Sequence, residues 1–363
     1  MKILLIAGAR PNFMKIAPIY RASRKHTGIE CMIVHTGQHY DHEMSQAFFD
    51  DLDIPQPMHV LEAGSGSHAV QTAKIMVAFE DVCLQEKPDL VMVVGDVNST
   101  LACSVVAKKL QIKVAHVEAG LRSFDQSMPE EINRMVTDAI SDYLFVTEES
   151  GVQNLLREGK ADGLVHFVGH VMIDNLLHQV RKLEGMDTSK LSVAALKSEK
   201  DTYAFMTLHR PSNVDNRDTF NEIAAALNEI AKERPIIFPV HPRTKKMMEQ
   251  FKIEFSENIR QTAPLGFMES LYLWKDAEMV LTDSGGLQEE TTALGVPCVT
   301  IRENTERPIT VELGTNVLAG TSREGILKAC AECMEKKQRA SIPPLWDGKA
   351  AERIWDILLH NAL

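Results

Sequence analysis

The chain has 363 residues, 44% of them apolar and 25% charged, with a formal net charge of −11 at pH 7. That length exceeds the size at which a single hydrophobic core stops growing, so two domains are expected. The acidic balance argues against a nucleic-acid surface, and no apolar run is long enough to span a membrane.

The opening, Met1-Lys2-Ile3-Leu4-Leu5-Ile6-Ala7-Gly8, lacks the longer apolar region and the cleavage site of a signal peptide. It reads as a first strand and its turn, which predicts a cytoplasmic protein. Short apolar runs then alternate with amphipathic ones. Strands are predicted at Lys2–Ala7, Cys31–His35, Leu90–Val94, Val114–Val117, Tyr143–Val146 and Val165–Val168. Helices are predicted at Asn12–Lys25, His42–Asp51, Ala69–Gln85, Thr100–Leu110, Pro129–Ile140 and Glu148–Arg157. Such alternation with β-branched strands implies a parallel sheet covered on both faces. Between Leu183 and Asp201 polar residues dominate, and a domain junction is placed just before this stretch. The alternation restarts with strands at Thr202–Thr207, Pro235–Val240, Met279–Leu281 and Cys298–Ile301. Helices are expected at Phe220–Glu233, Thr244–Phe251, Met268–Lys275, Leu287–Leu294 and Ala350–Leu359. The fold class is therefore α/β, with two Rossmann-like domains, 1–175 and 176–349, and a last helix, 350–363, that packs back on the first. The six cysteines are scattered and read as small core residues. Cys330 and Cys333 form a C-x-x-C inside a helical pattern, with no second pair that would suggest a metal.

The stretch Leu281–Thr310 is the most informative. A buried strand leads into Asp283-Ser284-Gly285-Gly286 and then a helix, a geometry that aims backbone N–H groups at an anion. Glu289 and Glu290 follow within the helix, where a carboxylate can accept from a ribose diol. The next strand ends in a loop holding Arg302, Glu303, Glu306 and Arg307. Neither first turn of the two halves carries G-x-G-x-x-G. Gly8-Ala9-Arg10-Pro11 and Leu208-His209-Arg210-Pro211 have Arg-Pro instead, which argues against bound NAD and for anionic oxygens near the arginines.

Other polar residues gather at the carboxyl ends of predicted strands: Arg10 and Lys15, Asp96, Glu118 and Arg122, Glu131 and Arg134, His209 and Arg210, and His241 with Arg243. Singly, each has a plain explanation, such as Asp96 capping a helix or Glu131 in an acidic first turn. Together they lie on the edge where open α/β sheets bind ligands, so both halves are expected to converge on one cleft. Three carboxylates, two histidines and several arginines suit acid/base work on a phosphorylated substrate. No close metal-ligand spacing such as H-x-x-x-H is present, and no metal is assigned.

Set in order, these residues resemble a known family. Gly8-Ala9-Arg10-Pro11 with Lys15, Thr36-Gly37-Gln38-His39, Gly95-Asp96, His116-Val117-Glu118-Ala119-Gly120-Leu121-Arg122, Pro129-Glu130-Glu131-Ile132-Asn133-Arg134, His209-Arg210, Pro239-Val240-His241-Pro242, the Asp283-to-Glu290 stretch and Thr305-Glu306-Arg307-Pro308 are similar to the UDP-N-acetylglucosamine 2-epimerases. The resemblance implies a glycosyltransferase-B-like pair of domains with the active site in the interdomain cleft. It also implies reversible C2 inversion of UDP-GlcNAc to UDP-ManNAc, by elimination of UDP to 2-acetamidoglucal and re-addition, with no cofactor. By resemblance Asp96, Glu118, Glu131 and His209 take acid/base and oxocarbenium-stabilising roles. Arg10, Lys15, Arg210, Ser284 and Gly285 hold the UDP phosphates, Glu290 the ribose hydroxyls, and Arg122, Arg134, His241, Gly286 and Arg307 line the substrate pocket. Arg10, Pro11 and Lys15 favour the non-hydrolysing type. Gln38 and His39 fit members that bind a second UDP-GlcNAc as allosteric activator, whereas Asp41 and Gly64-Ser65-Gly66-Ser67 depart from that pattern. A homodimer that serves cell-surface polysaccharide biosynthesis is likewise implied.

Four alternatives stand beside this. Similar Thr-Gly-Gln-His, Asn98-Ser99-Thr100 and Met128-Pro129-Glu130-Glu131 variants occur in relatives acting on UDP-2,3-diacetamido-2,3-dideoxy-glucuronic acid. A hydrolysing epimerase would release ManNAc. A UDP-sugar glycosyltransferase would show an acceptor patch, and a silent nucleotide-sugar sensor would have lost the carboxylates.

Overall fold

The computed structural model describes residues 1–37, 46–198 and 202–360. The chain divides into two compact units, Met1–Asn175 with Pro344–Leu363, and Leu176–Pro343. The α/β class with two parallel-sheet domains, expected from the alternation, is the observed one.

In the first unit the strands are β1 (Lys2–Ala7), β2 (Glu30–His35), β3 (His59–Val60), β4 (Leu90–Val94), β5 (Lys113–Val117), β6 (Tyr143–Val146) and β7 (Val165–Phe167). They form one sheet in the order β3-β2-β1-β4-β5-β6-β7, with parallel pairing throughout. Successive strand residues face opposite sides, so a strand covered on both faces is apolar at every position. Ile3, Leu5 and Ala7 enter one core with Phe13 and Ile16. Leu4 and Ile6 enter the other with Ile75 and Phe79. The helix Ala350–His360 joins the first of these cores through Ile354, Trp355 and Leu358, and Trp355 Nε1 donates to the Ile19 carbonyl at 2.8 Å. Buried Asp174 accepts from the Ala350 and Ala351 amides at 3.1 and 2.7 Å, supplying the start of that helix with an acceptor from elsewhere in the chain.

The second unit holds β8 (Ala204–Thr207), β9 (Ile236–Pro239), β10 (Ile259–Thr262), β11 (Met279–Thr282), β12 (Cys298–Thr300) and β13 (Asn316–Leu318). Their order is β10-β9-β8-β11-β12-β13, again parallel. In each sheet the strand order reverses direction once, between β1 and β4 and between β8 and β11. That switch point opens a crevice at the carboxyl ends of the two central strands.

The sequence pattern misses β3, β10, β13 and the helix Val171–Glu184. All three strands lie at sheet edges and are short, and Ile259-Arg260-Gln261-Thr262 has no apolar run. An edge strand has one neighbour and needs less apolar surface, so composition marks it poorly. Of the helix predicted at His42–Asp51, residues 46–51 are helical within Gln46–Leu52, and 42–45 lie outside the described residues.

Candidate active site

In the first unit the turn after β1 is built by Asn12. Its Oδ1 accepts from the Gly8 and Ala9 amides, and its Nδ2 donates to the Val94 carbonyl at 3.3 Å. This ties the ends of β1 and β4, the two strands at the switch point. Arg10 starts the helix Arg10–Ser23 and its guanidinium lies 5.1 Å from the centroid of the Phe48 ring. Lys15, one turn further, forms an ion pair with Glu118, and both side chains are largely buried. Gly95 lies beneath this pair in the left-handed region, with φ +68°, and a Cβ there would meet Lys15 Nζ at 3.1 Å. Glycine at this position therefore lets the ion pair form over the end of β4. Glu118 itself has φ +71°, uncommon for a residue with a side chain. Its amide and that of Ala119 both donate to the Phe145 carbonyl, which fixes the turn in that strained form.

Arg134, a turn into the helix Pro129–Ile140, bridges two carboxylates. One guanidinium nitrogen contacts Asp96 Oδ2 at 2.5 Å, and another pairs with Glu131. Glu131 is 1% exposed and also accepts from the Ser123 and Phe124 amides, each at 3.0 Å. It thus closes the loop of residues 121–128 while staying beside Asp96. The structure therefore gathers Asp96, Glu118, Glu131, Lys15 and Arg134 at one sheet edge.

Arg122 does not stand with them. Its side chain is 2% exposed and turned inward, with Nη1 2.7 Å from Asp138 and the other edge of the fork held by Glu158 at 2.7 and 2.8 Å. Arg122, expected in the substrate pocket, thus has its guanidinium engaged by two carboxylates. Gln38 and His39, the candidate activator residues, lie outside the described residues.

In the second unit Asp283 organises the turn after β8. Its side chain is fully buried, and it accepts from the His209 and Arg210 amides at 2.9 and 2.7 Å. Its other oxygen lies 2.8 Å from His209 Nδ1. Burial alone would raise its pKa, but His209 and the two amides outweigh this and hold it below the usual carboxylate value. The arrangement orients the partly exposed imidazole of His209. Arg210 Nε donates to the Asp283 carbonyl at 3.0 Å. Arg302 holds Glu306 through two 2.8 Å bonds, and those bonds take the Glu306 pKa down to about 2. Arg210 Nη1 stands 3.7 Å from the same carboxylate. His241 accepts from the Arg243 amide at the start of Pro242–Phe251, and its ring centroid is 5.6 Å from that of His209. Burial, then the neighbouring His209 and Arg243, push its pKa down.

Ser284 precedes the helix Gly285–Leu294, and a Cβ built on Gly285 or Gly286 meets no protein atom within 4 Å. The space in front of this helix start is open to an anion. Behind it, Arg307 Nε sits 2.6 Å from Glu289. Glu290 is nearly buried, and burial with the Glu289 charge raises its pKa to about 8. Among the described residues, no three His, Cys, Asp or Glu side chains gather as metal ligands would.

Asn12, Asp138, His116, Asp283 and Asn213 were not singled out from sequence as functional groups. Asp283 and His116 lie inside the recognised motifs, so adjacency to assigned residues was the signal available. Asn213 bonds the Ile301 carbonyl at 2.8 Å, a link between segments far apart in the chain that no local pattern reveals.

Two parallel sheets, each with cations and carboxylates at its switch point, define an α/β enzyme class that handles phosphorylated ligands. The family described as UDP-N-acetylglucosamine 2-epimerase matches residues 21–359, and the chain belongs to it. It is 45% identical to the UDP-N-acetylglucosamine 2-epimerase of Methanocaldococcus jannaschii over 367 residues, covering 99% of this chain and 100% of that one. It is also 40% identical to the UDP-2,3-diacetamido-2,3-dideoxy-D-glucuronate 2-epimerase of Pseudomonas aeruginosa, with 99% of each chain covered. The crystal structure of the M. jannaschii enzyme with UDP-GlcNAc and UDP superposes with a TM-score of 0.84 at 45% identity, covering 99% of this chain and 100% of that one. The Neisseria meningitidis epimerase bound to UDP-GlcNAc gives 0.86 at 30% identity, with 99% and 100% covered. The fold is the glycosyltransferase-B-like one of these neighbours.

Proposed function

We propose that this protein interconverts UDP-N-acetylglucosamine and UDP-N-acetylmannosamine by eliminating and re-adding UDP. The observation that carries the reading is the trio Asp96, Glu118 and Glu131, each seated on a cation at one sheet edge. The C2 hydrogen of the sugar has no adjacent carbonyl, so enolisation is closed. A base removes that proton as the C1–O bond to UDP breaks. The C–H electron pair becomes the C1=C2 bond of 2-acetamidoglucal, and UDP departs with the C1–O pair. Return of UDP to C1, with a proton delivered to the opposite face of C2, completes the inversion.

Asp96, Glu118, Glu131 and His209 supply the base, the acid and the charge opposite the oxocarbenium-like centre. Arg10, Lys15, Arg210, Ser284 and Gly285 hold the diphosphate, with Gly286 leaving room at the helix start. Glu290 meets the ribose hydroxyls, and Arg134, His241 and Arg307 line the remainder. Lys15 is paired with Glu118; moving to the diphosphate, it leaves a carboxylate oxygen for the sugar. No cofactor enters the chemistry, and the reaction is non-hydrolysing. The six unpaired cysteines fit a reducing compartment, which agrees with a cytoplasmic enzyme. We assign a homodimer and a role in surface polysaccharide synthesis, the first checked by sedimentation.

A second reading, inversion of UDP-2,3-diacetamido-2,3-dideoxy-glucuronic acid, is favoured by the 40% identical relative named for that sugar. Proton NMR with UDP-GlcNAc in D2O tests both. A UDP-ManNAc anomeric signal with deuterium at C2 supports the first reading. Turnover of the diacetamido uronate alone supports the second. Free ManNAc would mean a hydrolase, and reaction only with an added acceptor would mean a transferase. His209→Ala and Glu118→Gln are each expected to lower turnover by about 10²- to 10⁴-fold with UDP binding retained. Undiminished turnover in both removes these residues from the mechanism.

A further inference from the structure

Two buried side chains that the proposed reaction leaves unused hold the turns carrying Asp96 and Glu118. His116, in β5, is fully buried. Its Nδ1 lies 2.7 Å from Asp138 Oδ1 and its Nε2 lies 2.8 Å from the Gly95 carbonyl. The carbonyl can only accept, so Nε2 donates; with Asp138 ionised Nδ1 donates as well, which makes the ring an imidazolium. Asp138, also fully buried, accepts through Oδ2 from the Gly120 amide at 3.1 Å and faces Arg122 Nη1 at 2.7 Å. Glu158 holds the far edge of Arg122. Charges thus alternate from Glu158 through Arg122 and Asp138 to His116, and the run ends on a backbone carbonyl. Burial works against an ionised Asp138, yet His116 and Arg122 keep its pKa below the usual value.

What this chain of charges touches gives it a role. Gly95, whose carbonyl it holds, precedes Asp96. Gly120, whose amide it holds, follows Glu118 by two residues. Gly95, Glu118 and Gly120 all have left-handed backbone, with φ of +68°, +71° and +80°. A strained turn persists only where its surroundings over-determine it, and here a single imidazolium–carboxylate pair reaches both turns. Neither His116 nor Asp138 is accessible to a substrate. A buried apolar pair would fill the same volume without fixing the Gly95 carbonyl or the Gly120 amide.

We infer that His116 and Asp138 are positioning residues, an ionised pair beneath the sheet edge that sets the turns of Asp96 and Glu118 for proton transfer at C2. The inference rests on the epimerase reading for its chemistry and on geometry for the pair itself.

The test compares Asp138→Asn, Asp138→Ala and His116→Gln with the wild-type protein. Turnover, KM, UDP affinity and melting temperature are measured for each. Asparagine can still accept from Gly120 and donate to a neutral ring, so kcat is expected to fall about tenfold; alanine, or glutamine at 116, removes the clamp and is expected to cost about a hundredfold, as small misplacements of reacting groups do. KM and UDP affinity stay within about threefold, because the pair acts on orientation and not on binding. Folded Asp138→Ala and His116→Gln proteins with kcat within threefold of wild type overturn the inference. So does a loss of UDP affinity in step with kcat, which marks a merely structural pair. If the variants do not fold, 15N NMR of the wild-type protein labelled at histidine decides. Protons on both His116 ring nitrogens are expected, and a singly protonated ring refutes the pair. Wild-type protein that turns over neither UDP-GlcNAc nor the diacetamido uronate sinks the epimerase reading instead, and the NMR result still judges the pair.

Discussion

Glu290 shows how a single carboxyl can set a pH response. Burial and the adjacent Glu289 raise its pKa from 4.5 to about 8, so the folded protein binds this proton more tightly than the unfolded chain. The stabilising contribution is complete below about pH 4.5 and is lost progressively as pH rises to about 8. Glu290→Gln should match the wild type at acid pH and melt higher above pH 8, by on the order of 5 °C. A pH-independent difference between the two melting curves would contradict the buried, protonated state. Gly95 offers a second test at this scale. A methyl group there meets Lys15 Nζ at 3.1 Å in a left-handed backbone, so Gly95→Ala should cost about 1–2 kcal/mol of stability. Activity should fall with it, because the Lys15–Glu118 pair must shift; an active, equally stable variant would show the pair to be free to relax.

At the scale of elements, the carboxyl ends of β1, β4 and β5 carry the first unit's candidate groups, and packing beneath them keeps the strands in place. Ala350–His360 belongs to that packing although it comes last in the chain. Trp355 fills the core beside Ile19 and donates to its carbonyl. Trp355→Ala removes the largest side chain on that helix and leaves a cavity, so a loss of about 3–5 kcal/mol is expected in denaturant unfolding. A loss below about 1 kcal/mol would mean that the helix contributes little to the first core. The loop of residues 121–128 is the opposite case, since Glu131 holds it by accepting hydrogen bonds from two of its backbone amides. Glu131→Gln keeps the size but turns one of the two acceptor oxygens into a donor facing an amide N–H, and is expected to lower both the melting temperature and turnover.

The chain carries two units, each with its own sheet and its own packed core residues, so unfolding is not expected to be a single two-state event. Calorimetry should resolve two components. A ligand stabilises only the state that binds it, by about 2.7 kcal/mol at a hundred times its Kd. With the uracil-nucleotide groups assigned to Arg210, Ser284, Gly285 and Glu290, saturating UDP is expected to raise the transition of the second unit. A shift confined to the first unit would reassign the nucleotide to Arg10 and Lys15 alone.

Periodicity and turn residues by themselves determined the α/β class, the central strands and the order of charged groups along the chain. Those features are local: a strand buried on both faces is apolar at each position, and Gly-rich turns mark where it ends. Asp96, Glu118 and His209 stand out in the sequence because each follows such a strand. Tertiary structure alone decided which of these side chains face outward. Arg122 stands in the same motif as Glu118, yet Asp138 and Glu158, 16 and 36 residues further on, draw it inside. His116 and Asp283 became visible as organisers only once distant acceptors and donors stood around them. Three of the four edge strands escaped detection for the same reason, since pairing with a neighbour and not their own composition makes them strands. Hydrogen bonds between segments far apart in sequence leave no local pattern, so the residues that hold a site in shape are read from the fold.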